Sequence, residues 1–370
     1  MRIVITGADG FIGRNLCVRL GELGHTDLVR ITHVSGEEDL KAALQGADFV
    51  FHLAGINRPK DVSEFAAGNA GLTETVCSLL AEYGNKAPVV LSSSTQAALD
   101  NPYGVSKRAA EDAVFRHGEQ NGSPAYVFRL TNVFGKWSQP NYNSAVATFC
   151  HNIARGLEIK VNDPAAPLKL VYIDDVVEAF VGLLQSPGTP SGFVIAGPEY
   201  ESTVGLVADT ISGFAASRAS MITDRVGTGL VRALYSTYLS FLPTESFAYS
   251  VVKHSDPRGE FVEMLKTPDC GQFSYFTSHP GVTRGDHYHH TKTEKFMVLK
   301  GTAHFGFRHI VTGEHYELVT KGGECRIVET VPGWAHNITN IGDDEMIVML
   351  WANEIFDREK PDTFANKVKQ

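Results

Sequence analysis

The sequence predicts two domains of different class, a doubly wound α/β parallel sheet followed by a smaller all-β domain. Three observations predict this. In the first half, short β-branched runs alternate with longer stretches of helical spacing, the pattern of a parallel sheet with helices on both faces. From about Phe247, short strand-like runs are separated by Gly, Pro, Asp and Asn, which suits a sandwich or small barrel. The 370 residues suffice for two or three domains.

In order, Arg2–Ile5, Asp48–His52, Val89–Leu91 and Tyr126–Leu130 read as buried strands, with a second strand at Asp27–Thr32. Phe11–Leu23 and Thr73–Glu82 have helical spacing. Leu239–Tyr249 is the expected boundary, giving domains 1–243 and 247–370. Beyond it, Gln272–Thr277, Lys295–Leu299, Ala303–Phe307 and Met346–Trp351 read as strands.

Hydrophobic residues make up 43% and charged residues 20%, which excludes wholesale disorder. The net charge is −9 with no basic stripe, so no nucleic-acid partner is expected. Cys17, Cys77, Cys150, Cys270 and Cys325 are scattered and never CxxC, which fits a reducing compartment. No apolar run reaches the ~18 residues of a membrane span. The N-terminal run Ile3-Val4-Ile5 stops at Thr6-Gly7, unlike a signal peptide. A cytoplasmic protein with no membrane partner is expected.

Ile3–Gly13 (IVITGADGFIG) is a strand, a glycine-rich turn and a helix start with GxxGxxG spacing. Gly7 permits the tight turn, Gly10 lets backbone approach a pyrophosphate, and Gly13 allows close helix–strand packing. The helix start at Phe11-Ile12 then faces the phosphates. A glycine-rich turn can also be a plain βα connection; its place after a clear first strand favours the dinucleotide reading. No acid follows the second strand to hold ribose hydroxyls. Arg14, Arg30 and His33 are available instead, which points to NADPH.

Tyr103-Gly104-Val105-Ser106-Lys107 puts Tyr and Lys at i, i+4 on one helix face. A tyrosine at its ordinary pKa of ~10 is a poor acid at neutral pH. A neighbouring ammonium lowers that pKa and can also hold the nicotinamide ribose. Upstream, Val89-Val90-Leu91 runs into Ser92-Ser93-Ser94, and a serine there can hold a carbonyl oxygen for the tyrosine to protonate. YxxxK alone is common by chance.

TGADGFIG, His52-Leu53-Ala54-Gly55, LSSS, YGVSK and Arg129–Gly135 (RLTNVFG) occur in the order seen in extended short-chain dehydrogenases/reductases that act on nucleotide sugars. Residues 1–240 resemble that family. The resemblance implies a Rossmann-type sheet and a catalytic Ser94, Tyr103 and Lys107, with Ser94 chosen among the three serines. It also implies cofactor contacts from Leu53, Ala54, Gly55, Tyr103 and Lys107, and a substrate loop containing Asn132.

His287-Tyr288-His289, Glu294 and His336 form the second constellation. His287 and His289 alternate along a strand and share a face. Three imidazoles and a carboxylate suit Zn2+ or another divalent ion, with room for water or substrate. An isolated HxH is more often a stacked pair of core or surface histidines; the flanking glycines change the weighting. Gly281-x5-His287-x-His289-x4-Glu294-x6-Gly301 and Pro332-Gly333-Trp334-Ala335-His336-x3-Asn340 resemble the two cupin motifs. That implies a jelly-roll barrel with His287, His289, Glu294 and His336 as metal ligands. Asp256-Pro257-Arg258-Gly259, Arg284–Tyr288, Lys295 and Val331–His336 are also similar to nucleotide-sugar 3,5-epimerases, cupins that usually work without metal through a histidine base and a tyrosine acid. The match implies His287 as base and Lys295 as a catalytic residue. Two departures stand out: His289 replaces the usual glutamine, and no tyrosine stands near Asn353-Glu354-Ile355-Phe356. A metal-bound His287 cannot also be a free base.

The union resembles bifunctional capsular-polysaccharide enzymes, short-chain reductases fused to an epimerase-like cupin, on the route to UDP-N-acetyl-L-fucosamine. Phe134–Asn143 and Leu234–Pro243 extend the likeness over nearly the whole chain. The implied substrate is a UDP-linked 4-keto-6-deoxy amino sugar. The cupin would epimerise C3, and the reductase would then reduce C4 with NADPH, in a homodimer. The alternative is a single-activity 4-ketoreductase whose cupin is a dimerisation or structural metal module.

Overall fold

The computed structural model describes residues 1–369 except 187, 257–258, 263–264, 266, 268–270 and 355–358; of 253–256, 259–262, 272 and 274 it describes the backbone alone. Pro257 and Arg258, and Ile355 and Phe356, therefore lie outside the described residues. The first elements are β1 Ile3–Thr6, α1 Phe11–Glu22, β2 Leu28–Ile31, α2 Glu37–Gln45, β3 Phe49–His52, α3 Leu72–Glu82, β4 Val89–Ser94 and α4 Pro102–Asn121. Next come β5 Ala125–Leu130, β6 Asn132–Phe134, α5 Ala145–Ile153, β7 Pro167–Tyr172, α6 Ile173–Gln185, β8 Gly192–Phe193, β9 Glu199–Thr203, α7 Val204–Ser220 and α8 Gly229–Ser240. The rest is β: β10 Ala248–Ser250, β11 Lys253–Asp256, β12 Gly259–Val262, β13 Gln272–Ser278, β14 Thr283–Tyr288, β15 Glu294–Lys300, β16 Thr302–His309, β17 His315–Lys321, β18 Arg326–Glu329, β19 Trp334–Asn340, β20 Met346–Ala352 and β21 Phe364–Ala365.

The chain forms two compact units, Met1–Ser144 with Pro167–Ser202, and Ala145–Ala166 with Thr203–Gln370. In the first, β2-β1-β3-β4-β5-β8 make one sheet, and every pairing in it is parallel. β1 and β3 are buried along their whole length, as strands covered on both faces must be. The strand order reverses between β1 and β3. Thr6 and His52, at their carboxyl ends, thus flank the switch point where such sheets bind ligands.

The second unit holds two five-stranded sheets, β10-β18-β15-β20-β13 and β17-β16-β19-β14-β21. Their pairings are antiparallel, as a jelly-roll barrel requires. The units do not divide at Leu239–Tyr249, because α7 and α8 belong with the β domain. Ser236 on α8 donates to the Thr291 carbonyl at 2.9 Å. Arg218 on α7 pairs with Glu329 on β18 and donates to the Ser246 carbonyl at 2.6 Å. Glu329 also pairs with Lys295, its cross-strand neighbour on β15. Lys295 in turn donates to the Tyr249 hydroxyl at 2.9 Å. Among the described residues, no helix is long and apolar enough to cross a membrane.

Removing the shared anion leaves two cations without their partner in a dry interior. Glu329→Gln should therefore destabilise the protein by about 3–5 kcal/mol, read by denaturant unfolding. Replacing Arg218, Lys295 and Glu329 together by apolar residues should recover most of that loss.

Candidate functional site

Gly7 turns the chain out of β1 with φ +67°. A Cβ there would lie 2.8 Å from the Ala54 nitrogen, and one on Gly13 would lie 2.2 Å from the Gly7 carbonyl oxygen. Only glycine fits either position. The bare turn leads straight into α1, whose start presents unpaired N–H groups; this cradle fits the pyrophosphate of a dinucleotide. Gly10 is less constrained, its Cβ meeting only the Gly7 oxygen at 3.1 Å. Phe11 and Ile12 open α1. Leu53, Ala54 and Gly55 follow β3 and close on the same turn: Leu53 N–H donates to the Thr6 carbonyl and Ala54 N–H to the Thr6 hydroxyl, both at 3.2 Å. Arg14 and His33 meet at Asp9, Arg14 donating to its carbonyl and His33 to its carboxylate, each at 2.6 Å.

α4 starts as its sequence directs. Asn101 accepts from Gly104 N–H at 2.8 Å and Pro102 takes the first helical turn. A Cβ on Gly104 would lie 2.2 Å from the Gln96 carbonyl oxygen, so glycine lets α4 press against the 3₁₀ turn Thr95–Ala98. That turn spans the short connection and sets Tyr103 close enough to Ser94 for the serine to lower the phenol's pKa, while the Ser94 hydroxyl accepts from Gln96 N–H at 3.2 Å. The Ser93 side chain and the Ser92 backbone are engaged elsewhere. Ser93 donates to the buried Glu111, which Arg129 grips through Nε at 3.0 Å and Nη2 at 2.6 Å. The Ser92 carbonyl accepts from Lys107 Nζ at 2.7 Å.

Burial raises the Tyr103 phenol above its ordinary range, against a smaller lowering by Ser94. Lys107, expected from its i, i+4 spacing to lower it, gives its ammonium to Ser92 instead. Burial brings Lys107 itself down to about 8, with Glu111 opposing the shift. Phe65 packs on Tyr103 with ring centroids 5.4 Å apart. Asn132, two residues beyond the Leu130 partner of Ser94, donates to the Lys169 carbonyl at 2.9 Å.

Three further residues have no role in the sequence reading, although His52 opens the HLAG run. His52 accepts from the Thr6 hydroxyl at Nδ1 (2.7 Å) and donates from Nε2 to the Thr73 hydroxyl (2.9 Å). Thr73 donates to the Asn69 carbonyl at 2.7 Å. The Asn69 side chain, in the π-helical turn Ala66–Gly71, holds Ile56 N–H, the Ile56 carbonyl and the Ser106 hydroxyl, each at 2.9 Å. Such a turn inserts an extra residue into a helix and is frequent at functional sites.

In the second unit, His287, His289, Glu294 and His336 come together as the spacing predicts. One donor atom from each lies within 4.8 Å of the others. His289 Nε2 is 3.1 Å and His336 Nε2 is 3.5 Å from Glu294 Oε2. Burial and the neighbouring imidazoles hold His287 down at about 3, so its ring is neutral. Burial pushes Glu294 up, but His289 and His336 outweigh it and keep the carboxylate charged. Three imidazoles around one charged carboxylate fit a divalent cation. His287, Glu294 and His336 line a cavity of about 220 Å³ with Arg284, Thr330 and several phenylalanines.

Lys295 is not brought to this cluster. Side chains alternate along β15, so Glu294 and Phe296 line the cavity while Lys295 points to the opposite face and its ion pair with Glu329.

Residues 3–196 match the model of the NAD dependent epimerase/dehydratase family. The chain belongs to that family. Residues 254–364 match the polysaccharide biosynthesis C-terminal domain. The UDP-2-acetamido-2,6-beta-L-arabino-hexul-4-ose reductase of Pseudomonas aeruginosa is 56% identical over 368 residues, spanning 100% of this chain and 99% of that protein. The crystal structure of the capsular polysaccharide assembling protein CapF from Staphylococcus aureus shares 41% identity over 100% of both chains, with a TM-score of 0.68. A UDP-glucuronic acid 4-epimerase from Bacillus cereus, solved with NAD, shares the fold over part of the chain. It has 18% identity and a TM-score of 0.57 over 65% of this chain and 98% of its own. Family membership makes a nicotinamide dinucleotide the expected occupant of the Gly7–Gly13 cradle.

In the cofactor-free protein, the Lys107 ammonium persists below about pH 8 and is lost above it. NMR of the Lys107 side chain should show titration in that range, and kcat/KM for the dinucleotide should fall as pH rises through it. A side chain that titrates at the ordinary lysine value would contradict this environment.

Proposed function

We propose that the chain converts UDP-2-acetamido-2,6-dideoxy-4-ketohexose to UDP-2-acetamido-2,6-dideoxy-L-talose, for capsular or O-antigen polysaccharide precursors. The second unit inverts C3 and the first reduces C4 with NADPH. One observation carries the reading: Ser94, Tyr103 and Lys107 converge at the carboxyl end of β4, in a chain 56% identical to a reductase named for a UDP-linked hexul-4-ose.

Gly7, Gly10, Phe11, Ile12 and Gly13 would hold the pyrophosphate, Arg14 and His33 the adenosine end, and Leu53, Ala54, Gly55 and Lys107 the nicotinamide half. Arg30 in β2 and His33 just beyond it, with Arg14 on α1, stand where NAD enzymes carry an acid and favour NADPH. The bound cofactor supplies hydride to C4. Ser94 holds the C4 carbonyl oxygen and Tyr103 gives its proton to the alkoxide as charge develops there. The raised pKa of Tyr103 keeps that proton in place until it is needed. Lys107, held at the Ser92 carbonyl, would bind the nicotinamide ribose, and Asn132, at the start of β6 rather than in a loop, would meet the sugar.

His287, His289, Glu294 and His336 would hold zinc or a similar divalent cation, which supplies Lewis acidity to a bound carbonyl. The C4 ketone acidifies the C3 proton, and Arg284 offers the cavity a positive charge against the anion that forms. Reduction then removes the ketone and locks the new configuration.

A second reading has one observation in its favour. Apart from the cluster itself, the polar side chains lining the cavity are Arg284, Thr330 and Asn337, none of them a good base. On that reading the cation is structural and the chain is a 4-ketoreductase only. Both readings take the protein to be a cytoplasmic homodimer; the edge strand β13 leaves Phe273 and Tyr275 exposed for such a contact.

Tyr103→Phe should cut NADPH oxidation with the UDP-4-keto sugar by on the order of 10²–10⁴-fold in a protein of unchanged circular dichroism. Oxidation at the wild-type rate would remove Tyr103 from the reaction.

A further inference from the structure

We propose that Asp362 is a positioning residue for cation binding, so that a C-terminal strap sets how tightly the histidine cluster holds its metal. The proposal rests on the reading that His287, His289, Glu294 and His336 bind a divalent cation.

His287 lies in β14 and His289 directly follows it. Without β21, β14 would be the edge of its sheet, and unpaired edges are poorly held. β14 is also bulged between Gly285 and His287, with Asp286 at φ 56°, a feature that re-aims side chains. The strap covers this weak point. Ala365 pairs with His287 and Phe364 with Tyr288. Asn366 N–H donates to the Asp286 carbonyl at 2.7 Å, and Val368 N–H to its carboxylate at 3.1 Å. Val368 is fully buried. Phe364 packs on Tyr288 and His290, with centroids 5.6 and 4.9 Å apart.

Asp362 acts twice, once on the ligand His289 and once on the turn that follows it. His289 Nδ1–H donates to the Asp362 carbonyl oxygen. That bond fixes the tautomer and turns the Nε2 lone pair toward Glu294. The Asp362 carboxylate accepts three successive backbone N–H groups, His290 at 2.9 Å and Thr291 and Lys292 at 2.7 Å, and the Thr291 hydroxyl at 3.0 Å. These residues are the turn between His289 and Glu294. One side chain thereby fixes the distance between two ligands.

The test uses the full-length protein stripped of metal by a chelator. Zn2+ affinity is measured by competition with a chromophoric chelator, and ligand geometry by the visible absorption of the Co2+ form. Asp362→Ala should weaken Zn2+ binding by about 10–100-fold and change the Co2+ spectrum. Asp362→Asn should act in the same direction, because in either orientation its amide N–H₂ would face at least one N–H donor; it serves if the alanine variant does not fold. Lys369→Ala, an exposed position on the same strap, should leave both readouts unchanged. Wild-type affinity and spectrum in both Asp362 variants would overturn the proposal and leave the metal reading standing. A wild-type protein that takes up no Zn2+ beyond what His289→Ala takes up would overturn both.

Discussion

One neutral imidazole ties the candidate site of the first unit together. His52 is fully buried, and burial with the nearby Lys107 charge holds it at about 3. It is therefore uncharged at any working pH, and its two nitrogens have fixed and opposite roles. The chain of donors runs one way, from Ala54 N–H through Thr6, His52 and Thr73 to the Asn69 carbonyl. Asn69 then grips Ile56 and Ser106. The glycine turn, the loop after β3, the π-helical turn and the helix carrying Tyr103 and Lys107 share this single thread.

The second unit meets a different constraint, the strict two-residue alternation of β15. Glu294 faces the cavity and becomes available for a cation. Lys295, one residue on, faces the other way and must find an anion in a dry interior, where an unpaired charge is costly. Glu329 supplies it and binds Arg218 from α7 at the same time. The same strand thus serves the site with one side chain and anchors the helices with the next.

Much of this is legible in the sequence where the chemistry is local. The glycine turn, the YGVSK run and the HxH pair sit in short windows, and the predicted strands lie within one to three residues of the observed ends. The parallel sheet follows from strand runs alternating with helical stretches, and the β domain from short strand runs broken by Gly, Pro, Asp and Asn. What local reading misses depends on partners far along the chain. That Ser93 is taken up by Glu111 is one such long-range fact. The place of α7 and α8 depends on Arg218 meeting Glu329, 111 residues away. Lys295 fits an epimerase-like motif by spacing, yet its direction is set by the register in which β15 starts at Glu294. Asp362 carries no motif at all, since its partners are mostly backbone groups, which any residue possesses.

The central claim is that the two units perform two separable reactions on one sugar. It is tested most directly by proton NMR of the UDP-4-keto sugar with the purified enzyme in D₂O, without NADPH. The account predicts that deuterium enters at C3 and that His287→Gln abolishes the exchange. No exchange, with NADPH still consumed once it is added, would contradict it and leave a plain C4 reductase with a structural histidine cluster.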